Sequence, residues 1–353
     1  MISVLDVKEA YRVVLGREIE SETTAAALAA QMPDKAGLLR HLLWSDEFQL
    51  HRGPLIERFA VADPADTRLF MSLGRYAGTG TPGFVTDFLG TKTDVGFVSA
   101  IGHLSGHVEG YPLPRGNFHG DLTEWIGTLI SVLDASDSVT VVELGAGWAP
   151  WLAVSARVAA KHNVGKVRLL GLEGSSAHAH FMRRHFENNR IPLDGNRLVH
   201  GIAGPHDGSA EFPVADDPSA DWGQAAFFGE QAGDKTRSDY RGFSITKTET
   251  VPVYSVDSFL ADEKLVNLMH IDIQGAEVDV VSAGLDTLSK KVKAMVIGTH
   301  TRQIEGAMAS ALTVAGWTLC REQACTFSLG TSGVSYLADG CQFWRNQRFF
   351  GRV

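Results

Sequence analysis

The chain has 353 residues, of which 44% are hydrophobic and 21% charged, and this balance is typical of a globular protein with a sizeable core. Its formal net charge of −9 lacks the basic excess that a general nucleic-acid-binding surface requires. No apolar stretch reaches the roughly 20 residues of a membrane span, and the first residues lack the pattern of a signal peptide. The 3 cysteines have no metal-ligand spacing, so we expect reduced thiols and a cytoplasmic protein.

Residues 1–60 are predicted to form a small all-helical domain. Apolar residues recur at helical spacing over Val7–Leu15, and two more helices are expected after them. The motifs Tyr-Arg-x-x-Leu-Gly-Arg at 11–17 and Ser-Asp-Glu-Phe at 45–48 resemble DUF4214, a small helical domain attached to bacterial surface and glycan-modifying proteins. The resemblance implies a contact with a second copy of the chain or with a glycan-assembly partner. The alternative is a plain helical cap on the catalytic domain.

Residues 61–120 are rich in glycine and proline, which predicts a connector with lid-like loops. A helix is expected over Asp121–Leu133, immediately before the first strand of the next domain. His119 and Glu124 belong to this lead-in segment.

From residue 121 to residue 353 strands and helices alternate, which predicts an α/β fold with a doubly wound, mostly parallel sheet. The first strand ends at Glu143 and runs into Gly145-Ala146-Gly147, a turn that lets backbone amides approach a nucleotide-like ligand. The second strand ends at Glu173, where an acid can accept hydrogen bonds from both ribose hydroxyls.

Three more strands complete the predicted parallel sheet. The third is expected over Asn196–Ala203 and the fourth over Leu268–Ile273, which contains Asp272. The fifth, Ala294–Gly298, is followed by His300. Because ligands collect at the carboxyl ends of parallel strands, Asp272 and His300 are expected to face one crevice with the acids that end the first two strands.

Residues 205–250 form a long polar insertion after the third strand, in which Asp207-Gly208 is predicted to make a hairpin turn. Loops held by a rigid sheet commonly carry recognition, and sugars favour aromatic faces with polar neighbours. We therefore predict substrate contacts from Trp222, Gln224 and Tyr240. The alternative is a surface loop whose aromatic side chains pack beneath it.

Two motifs of the α/β domain resemble a known family. Glu-Leu-Gly-Ala-Gly at 143–147, followed by an acidic end of the second strand, resembles the class I S-adenosylmethionine-dependent methyltransferases. His-Ile-Asp-Ile-Gln-Gly-Ala-Glu at 270–277, with Gly284 after its helix, is similar to the FkbM-type family, which methylates hydroxyl groups, often on sugars. The resemblance covers about 120–350 and departs at Gln274, where the family usually has Glu.

The resemblance implies a cytoplasmic O-methyltransferase that uses S-adenosylmethionine and acts on a sugar hydroxyl of a bacterial glycan or glycan precursor. Lead-in segments cover the cofactor in methyltransferases, so His119 and Glu124 are candidates for contact with it, with helix capping as the alternative. The predicted cofactor-binding residues are Glu143, Gly145, Ala146, Gly147, Glu173, Gly174, Ala203 and Asp272.

Methyl transfer to a hydroxyl requires near-attack geometry and removal of the hydroxyl proton. In one interpretation His300 is the general base and Asp272 orients it or the substrate. In the other, both residues bind a divalent metal that lowers the pKa of a sugar diol, with Glu277 or Glu305 as a further ligand. Glu277 also suits the dipole of its helix without a catalytic role. Arg302 is a candidate for binding an anionic substrate group, or forms an ordinary surface ion pair.

Two other classes of protein compete with this interpretation. An NAD-linked oxidoreductase would use the same glycine turn, but the position three beyond Gly147 is Pro150 instead of the third glycine of the dinucleotide fingerprint. A non-catalytic binding module would keep the methyltransferase fold and use the N-terminal helices for assembly. The presence of Glu173, Asp272 and His300 argues against loss of catalysis.

Overall fold

The protein is represented by a computed structural model, which describes residues 2–15, 17–43, 45, 63–226, 237–238, 244–245, 247–330 and 333–351. The chain divides into two compact units, Met1–Asp63 and Pro64–Val353. Within these described residues, no helix is both long enough and apolar enough to cross a membrane.

The first unit is helical, as predicted. Its helices are α1 (Val4–Ala10), which continues as a π-helical turn over Tyr11–Leu15, α2 (Glu22–Gln31) and α3 (Lys35–Leu43). Ser3 begins α1 with a capping box, in which its hydroxyl accepts a hydrogen bond from the Asp6 amide and its own amide donates to the Asp6 carboxylate. The unit has its own buried apolar cluster, which includes Val7, Val14, Ala25, Leu28, Leu38 and Leu42.

The second unit contains both helices and strands. Its helices are α4 (Pro64–Leu73), α5 (Leu122–Leu133), α6 (Pro150–Lys161), α7 (Ser176–Asn188), α8 (Val256–Phe259), α9 (Glu277–Ala283), α10 (Leu285–Lys291), α11 (Arg302–Val314) and α12 (Gln347–Phe350). Its strands are β1 (Phe84–Thr86), β2 (Lys92–Asp94), β3 (Gly116–Asn117), β4 (Gly120–Asp121), β5 (Ser138–Leu144), β6 (Lys166–Glu173), β7 (Arg197–His200), β8 (Ile202–Ala203), β9 (Gly208–Pro213), β10 (Arg237–Ser238), β11 (Ser244–Ile245), β12 (Thr248–Tyr254), β13 (Val266–Ile271), β14 (Val292–Thr299), β15 (Trp317–Gln323), β16 (Thr326–Gly330), β17 (Gly333–Ala338) and β18 (Gly340–Asn346).

A seven-stranded sheet in the order β15-β18-β14-β13-β5-β6-β7 organises this unit. The strands from β14 to β7 in this order run parallel, whereas β18 pairs antiparallel with both β14 and β15. Alternate strand residues enter two different apolar cores. Val141 packs with residues of α5, α6 and α7, while Val142 packs with residues of α9, α10 and α11. The predicted Rossmann-like sheet with helices on both faces is confirmed.

The third predicted strand is wrong in one respect, because the chain changes sheets at Gly201. Strand β7 ends before this residue, and β8 joins a second sheet of order β8-β12-β9. The Gly201 amide donates a hydrogen bond to the Glu173 carbonyl at 2.9 Å, and a Cβ atom here would lie 2.9 Å from the Pro252 carbonyl oxygen. The close approach of these backbones explains why glycine marks the break.

The predicted hairpin at Asp207-Gly208 is also wrong. Strands β8 and β9 do not pair with each other, because β12 lies between them. The Asp207 carboxylate instead accepts a hydrogen bond from the Ser255 amide at 2.7 Å, at the start of α8. The side chain thus ties the loop between β8 and β9 to the end of β12.

Candidate active site

The glycine turn after β5 lies against the end of β13. Gly145 and Gly147 have φ angles of 74° and 55°, in the left-handed region that favours glycine. A Cβ atom at Gly145 would lie 1.8 Å from the Asp272 carbonyl oxygen, so no other residue fits without displacing that backbone. The Asp272 amide in turn donates to the Leu144 carbonyl at 2.9 Å. The turn and the Asp272 strand end are therefore one packed unit.

Glu173, the last residue of β6, also contacts the glycine turn. One carboxylate oxygen accepts a hydrogen bond from the Gly147 amide at 2.7 Å, and the other accepts from the Ser175 amide at 2.8 Å. Ser175 is the actual N-cap of α7. Glu173 is 6% exposed and its two amide bonds leave lone pairs for further donors. The side chain both organises the glycine turn and faces a pocket.

That pocket has a volume of about 510 Å³ and opens where the parallel strands end. The size is within the range of small-molecule sites. It contains all eight predicted cofactor-binding residues, namely Glu143, Gly145, Ala146, Gly147, Glu173, Gly174, Ala203 and Asp272. The two lead-in candidates, His119 and Glu124, also line it, as do the predicted substrate residues Trp222 and Gln224.

Glu143 forms the floor of the pocket and is buried. Its carboxylate accepts a hydrogen bond from the Leu152 amide at 3.1 Å, in the first turn of α6. Burial raises the pKa of Glu143 to about 8, because the charged form is poorly solvated there. The carboxyl group is therefore largely protonated at neutral pH in the absence of a cationic ligand.

His270 lies beside Glu143 on the neighbouring strand and was not predicted as a pocket residue, although it lines the pocket. Its Nε2 atom is 3.0 Å from a carboxylate oxygen of Glu124, and its ring stacks on Trp151 with centroids 5.5 Å apart. Burial acts to lower the pKa of His270, but the neighbouring acids, of which Glu124 contributes most, together outweigh it and the pKa is raised. Glu124 thus serves both in the capping box of α5 with Asp121 and in this pair.

His300 lies among three carboxylates. Its Nε2 atom is 3.2 Å from both Asp272 and Glu277, and its Nδ1 atom is 3.3 Å from Asp339. Burial acts to lower the pKa of His300, but the three acids outweigh it and raise the pKa far above its usual range. Such an environment stabilises positive charge at this position, either as a proton on the imidazole or as another cation. His300 is 4% exposed and stands behind Asp272, outside the pocket lining.

Gln274, which stands where the family motif usually has Glu, has a contact that explains the difference. Its Nε2 atom donates a hydrogen bond to Asp272 at 2.7 Å, which a glutamate at this position could not do. Glu277 accepts hydrogen bonds from the Ile273 and Gly275 amides at 3.0 Å, so it also stabilises the turn that carries Gln274. Among the described residues, the group of side chains close enough to share one metal ion consists of Asp272, Glu277 and His300.

Two predicted residues, Arg302 and Glu305, lie away from the pocket and the metal-like group. Arg302 does not line the pocket and instead pairs with Glu305 at 3.0 Å, the ordinary ion pair that was its alternative. Glu305 is not part of the metal-like group, because its carboxylate accepts hydrogen bonds from the Cys325 amide and from Thr299 at 3.3 Å. Tyr240 is outside the described residues.

Asp339 lines the pocket and was missed by the sequence analysis. It directly precedes β18, whose first residue, Gly340, pairs with Thr299 at the end of β14. Because β18 runs antiparallel to β14, it begins at the edge where β14 ends, so Asp339 reaches the same edge of the sheet as His300. The residues of β18 do not specify its antiparallel direction, so no local pattern marked Asp339 as a pocket residue.

The sheet order and the glycine turn define the class I methyltransferase fold, and comparisons with known proteins agree. A family model described as "Methyltransferase FkbM domain" matches residues 151–314. A protein of Jannaschia sp. (strain CCS1) named "Putative methyltransferase" is 34% identical over 274 residues, which are 77% of this chain and 95% of that protein. The chain therefore belongs to the FkbM methyltransferase family, and this assignment favours a methyltransferase over the NAD-linked alternative.

Two solved structures resemble the fold at low identity. The FkbM methyltransferase from Methylobacillus flagellatus KT is 12% identical, with a TM-score of 0.37 over 59% of this chain and 44% of that chain. A precorrin-6y C5,15-methyltransferase from Geobacter metallireducens GS-15 is 11% identical, with a TM-score of 0.36 over 64% of this chain and 88% of that chain.

Proposed function

We propose that this protein transfers a methyl group from S-adenosylmethionine to a sugar hydroxyl of a bacterial glycan or glycan precursor. The observation that carries the proposal is the convergence of the glycine turn, Glu173 and Asp272 on one pocket of about 510 Å³. In sheets of this kind, a nucleotide-like ligand binds at the carboxyl ends of the strands.

Glu173 is proposed to accept hydrogen bonds from the two ribose hydroxyls of the cofactor. Its two amide bonds fix the carboxylate and leave acceptor capacity toward the pocket. Glu143 is proposed to face the cationic amino-acid portion, and Ala203 to line the wall beside the base. These roles position the methyl group near Asp272, where the acceptor hydroxyl would approach in line with the leaving sulfur.

The acceptor end of the pocket combines polar and aromatic groups. Asp272, Gln274 and Asp339 supply hydrogen-bonding atoms, and Phe118 supplies an aromatic ring. Sugars offer many hydroxyls and one apolar face, so this combination supports a sugar acceptor. The resemblance to FkbM-type enzymes, which methylate hydroxyl groups, supports the same class.

We further propose that Asp272, Glu277 and His300 hold a divalent cation. Their 3.2 Å separations are close to the edge of about 3 Å expected for neighbouring ligands bonded at about 2.1 Å to one octahedral ion. With Asp339, three acids surround one imidazole, so the cluster is negative even when His300 is protonated. A bound divalent ion supplies a Lewis acid that lowers the pKa of a nearby hydroxyl. Ile273 and Gly275 orient Glu277 through their amides.

Ligand binding tests the cofactor proposal. S-adenosylmethionine and S-adenosylhomocysteine should raise the melting temperature, whereas NAD should not. Glu173→Ala should abolish this shift, and Glu187→Ala, on the exposed face of α7, should retain it. No shift with either sulfur ligand would favour the non-catalytic binding module, and unchanged affinity of Glu173→Ala by calorimetry would rule out the ribose role.

Metal binding is tested separately by titrating Mn²⁺ or Mg²⁺ into the protein saturated with S-adenosylhomocysteine. The wild type should bind one ion, His300→Ala should lose it, and Asp286→Asn, which removes an exposed acid paired with Lys290, should keep it. Methyl transfer that survives strong chelation would eliminate the metal.

The N-terminal helical unit is proposed to bind a second copy of the chain or a glycan-assembly partner, following its resemblance to DUF4214. A cytoplasmic reaction is in keeping with free thiols at Cys320, Cys325 and Cys341. Size-exclusion chromatography with light scattering, on the full chain and on the chain from residue 64, tests whether the N-terminal unit carries self-association.

A further inference from the structure

The part of the pocket beside Glu173 has an apolar lining with one unusual polar atom. Ile202, Phe212 and Ala226 form much of this lining, and Gly174 lies at its back. Gln224 also faces this part of the pocket and is only 9% exposed. Its Oε1 atom is buried and accepts no hydrogen bond from any residue that the structure describes. A buried amide oxygen without a donor is costly, which points to a donor supplied by a ligand.

The orientation of the Gln224 amide follows from its neighbour. The Nε2 atom donates toward a carboxylate oxygen of Asp221 at 3.5 Å, so the carbonyl oxygen points away from that acid. Reversing the amide would bring Oε1 against the Asp221 carboxylate, and the two acceptors would repel each other. Gln224 therefore presents an acceptor, not a donor, to the pocket.

The segment that carries Gln224 is held in place by Trp222. The indole nitrogen donates to the Ser219 carbonyl at 3.1 Å, and the ring stacks on His178 with centroids 4.0 Å apart and planes at 8°. The edge of the same ring lies over Gly147, 3.2 Å from where a Cβ atom would be. Gln224 is thus fixed relative to the glycine turn and to Glu173, the proposed ribose ligand.

We propose that Gln224 reads the adenine base of the cofactor by accepting a hydrogen bond from its exocyclic N6 amine. This inference rests on the proposed function, because it assumes that Glu173 binds the ribose. A flat base then occupies the apolar slot next to Glu173, and the N6 amine meets the one buried acceptor that lacks a partner. A base with a 6-oxo group presents an acceptor to the same atom and is rejected.

The test compares S-adenosylhomocysteine with S-inosylhomocysteine, which differs by a 6-oxo group in place of the amine. Calorimetry on the full chain should show that the wild type binds the adenosyl compound about 10- to 100-fold more tightly, the range expected for leaving one buried acceptor unpaired. Gln224→Leu should reduce this ratio to near 1. Gln224→Met, which is closer to glutamine in length and also lacks the acceptor, should have the same effect.

Controls separate the outcomes. Gln323→Leu, on an exposed position of β15, should leave the ratio unchanged. The melting temperature of each variant without ligand shows whether it folds, and Gln224→Met supplies the comparison if Gln224→Leu does not fold. A wild-type ratio in folded Gln224→Leu, or equal binding of both compounds by the wild type, overturns the role of Gln224. Failure of the wild type to bind S-adenosylhomocysteine overturns the proposed function itself.

Discussion

Replacing Gly145 with Ala should strongly destabilise the protein and weaken cofactor binding. The new methyl group would lie 1.8 Å from the Asp272 carbonyl oxygen, a backbone atom that cannot rotate away. Overpacking of this kind costs about 1–3 kcal/mol, and a left-handed φ for a residue with a Cβ atom adds about 1–2 kcal/mol. The free energy of unfolding should therefore fall by about 2–5 kcal/mol.

Gly147→Ala is the matched control. It has the same left-handed strain, with φ at 55°, but its methyl group would meet a Trp222 ring atom at 3.2 Å, a side chain that can shift slightly. Only about 1–2 kcal/mol should be lost. Urea denaturation measures both free energies, and calorimetry with S-adenosylhomocysteine measures the accompanying loss of affinity. Equal stability of the two variants would refute the argument that Gly145 is required by its contact with Asp272.

Three further predictions concern the pocket and its support. Because burial raises the pKa of Glu143 to about 8, binding of the cationic donor below that pH should release a proton. Affinity for S-adenosylmethionine should rise between about pH 6 and 8, and Glu143→Gln should abolish both this rise and the proton release. Calorimetry in two buffers of different ionisation heat measures both effects, and wild-type affinity that does not change with pH would contradict the prediction. Asp66→Asn should lower the free energy of unfolding by about 1–3 kcal/mol in urea, because an amide nitrogen replaces one of the two oxygens that accept from Arg321 at 2.8 Å and the guanidinium loses its counter-charge. A loss below about 0.5 kcal/mol would show the pair to be unimportant. Gly174→Ala should weaken S-adenosylhomocysteine about tenfold, because its methyl group would lie 2.6 Å from Phe212 and narrow the base slot, whereas unchanged affinity would exclude a base at this wall.

The sequence predicts the parallel part of the sheet well because each strand is an apolar run that ends in a distinctive residue. Glu173 ends β6, as predicted, and Asp272 follows β13 directly. The convergence of these ends is a property of parallel topology, so it needs no knowledge of side-chain packing. The sequence also supplies the glycine turn, because only glycine suits the backbone at Gly145.

Other features depend on contacts between segments far apart in the chain. Strand alternation puts His270 on the same side of β13 as Asp272, in the core or beside that acid, but its pairing with Glu124 requires α5 to pack on the end of β13. Asp339 reaches the pocket only because β18 runs antiparallel, which its own residues do not specify. The chain leaves the main sheet at Gly201 because of the Pro252 backbone, which is distant in sequence.

The second sheet, of order β8-β12-β9, anchors both ends of the long insertion between β9 and β12. The insertion between β9 and β12 leaves and re-enters the fold at adjacent positions, because Pro213 pairs with Thr248. Its two ends are thus held together outside the seven-stranded sheet, so the segment can change in length without moving that sheet. Changes at Trp222 and Gln224, which belong to this segment, would alter the wall of the pocket. Exchange of this segment between related chains would therefore change one wall of the pocket while the seven-stranded sheet stays the same.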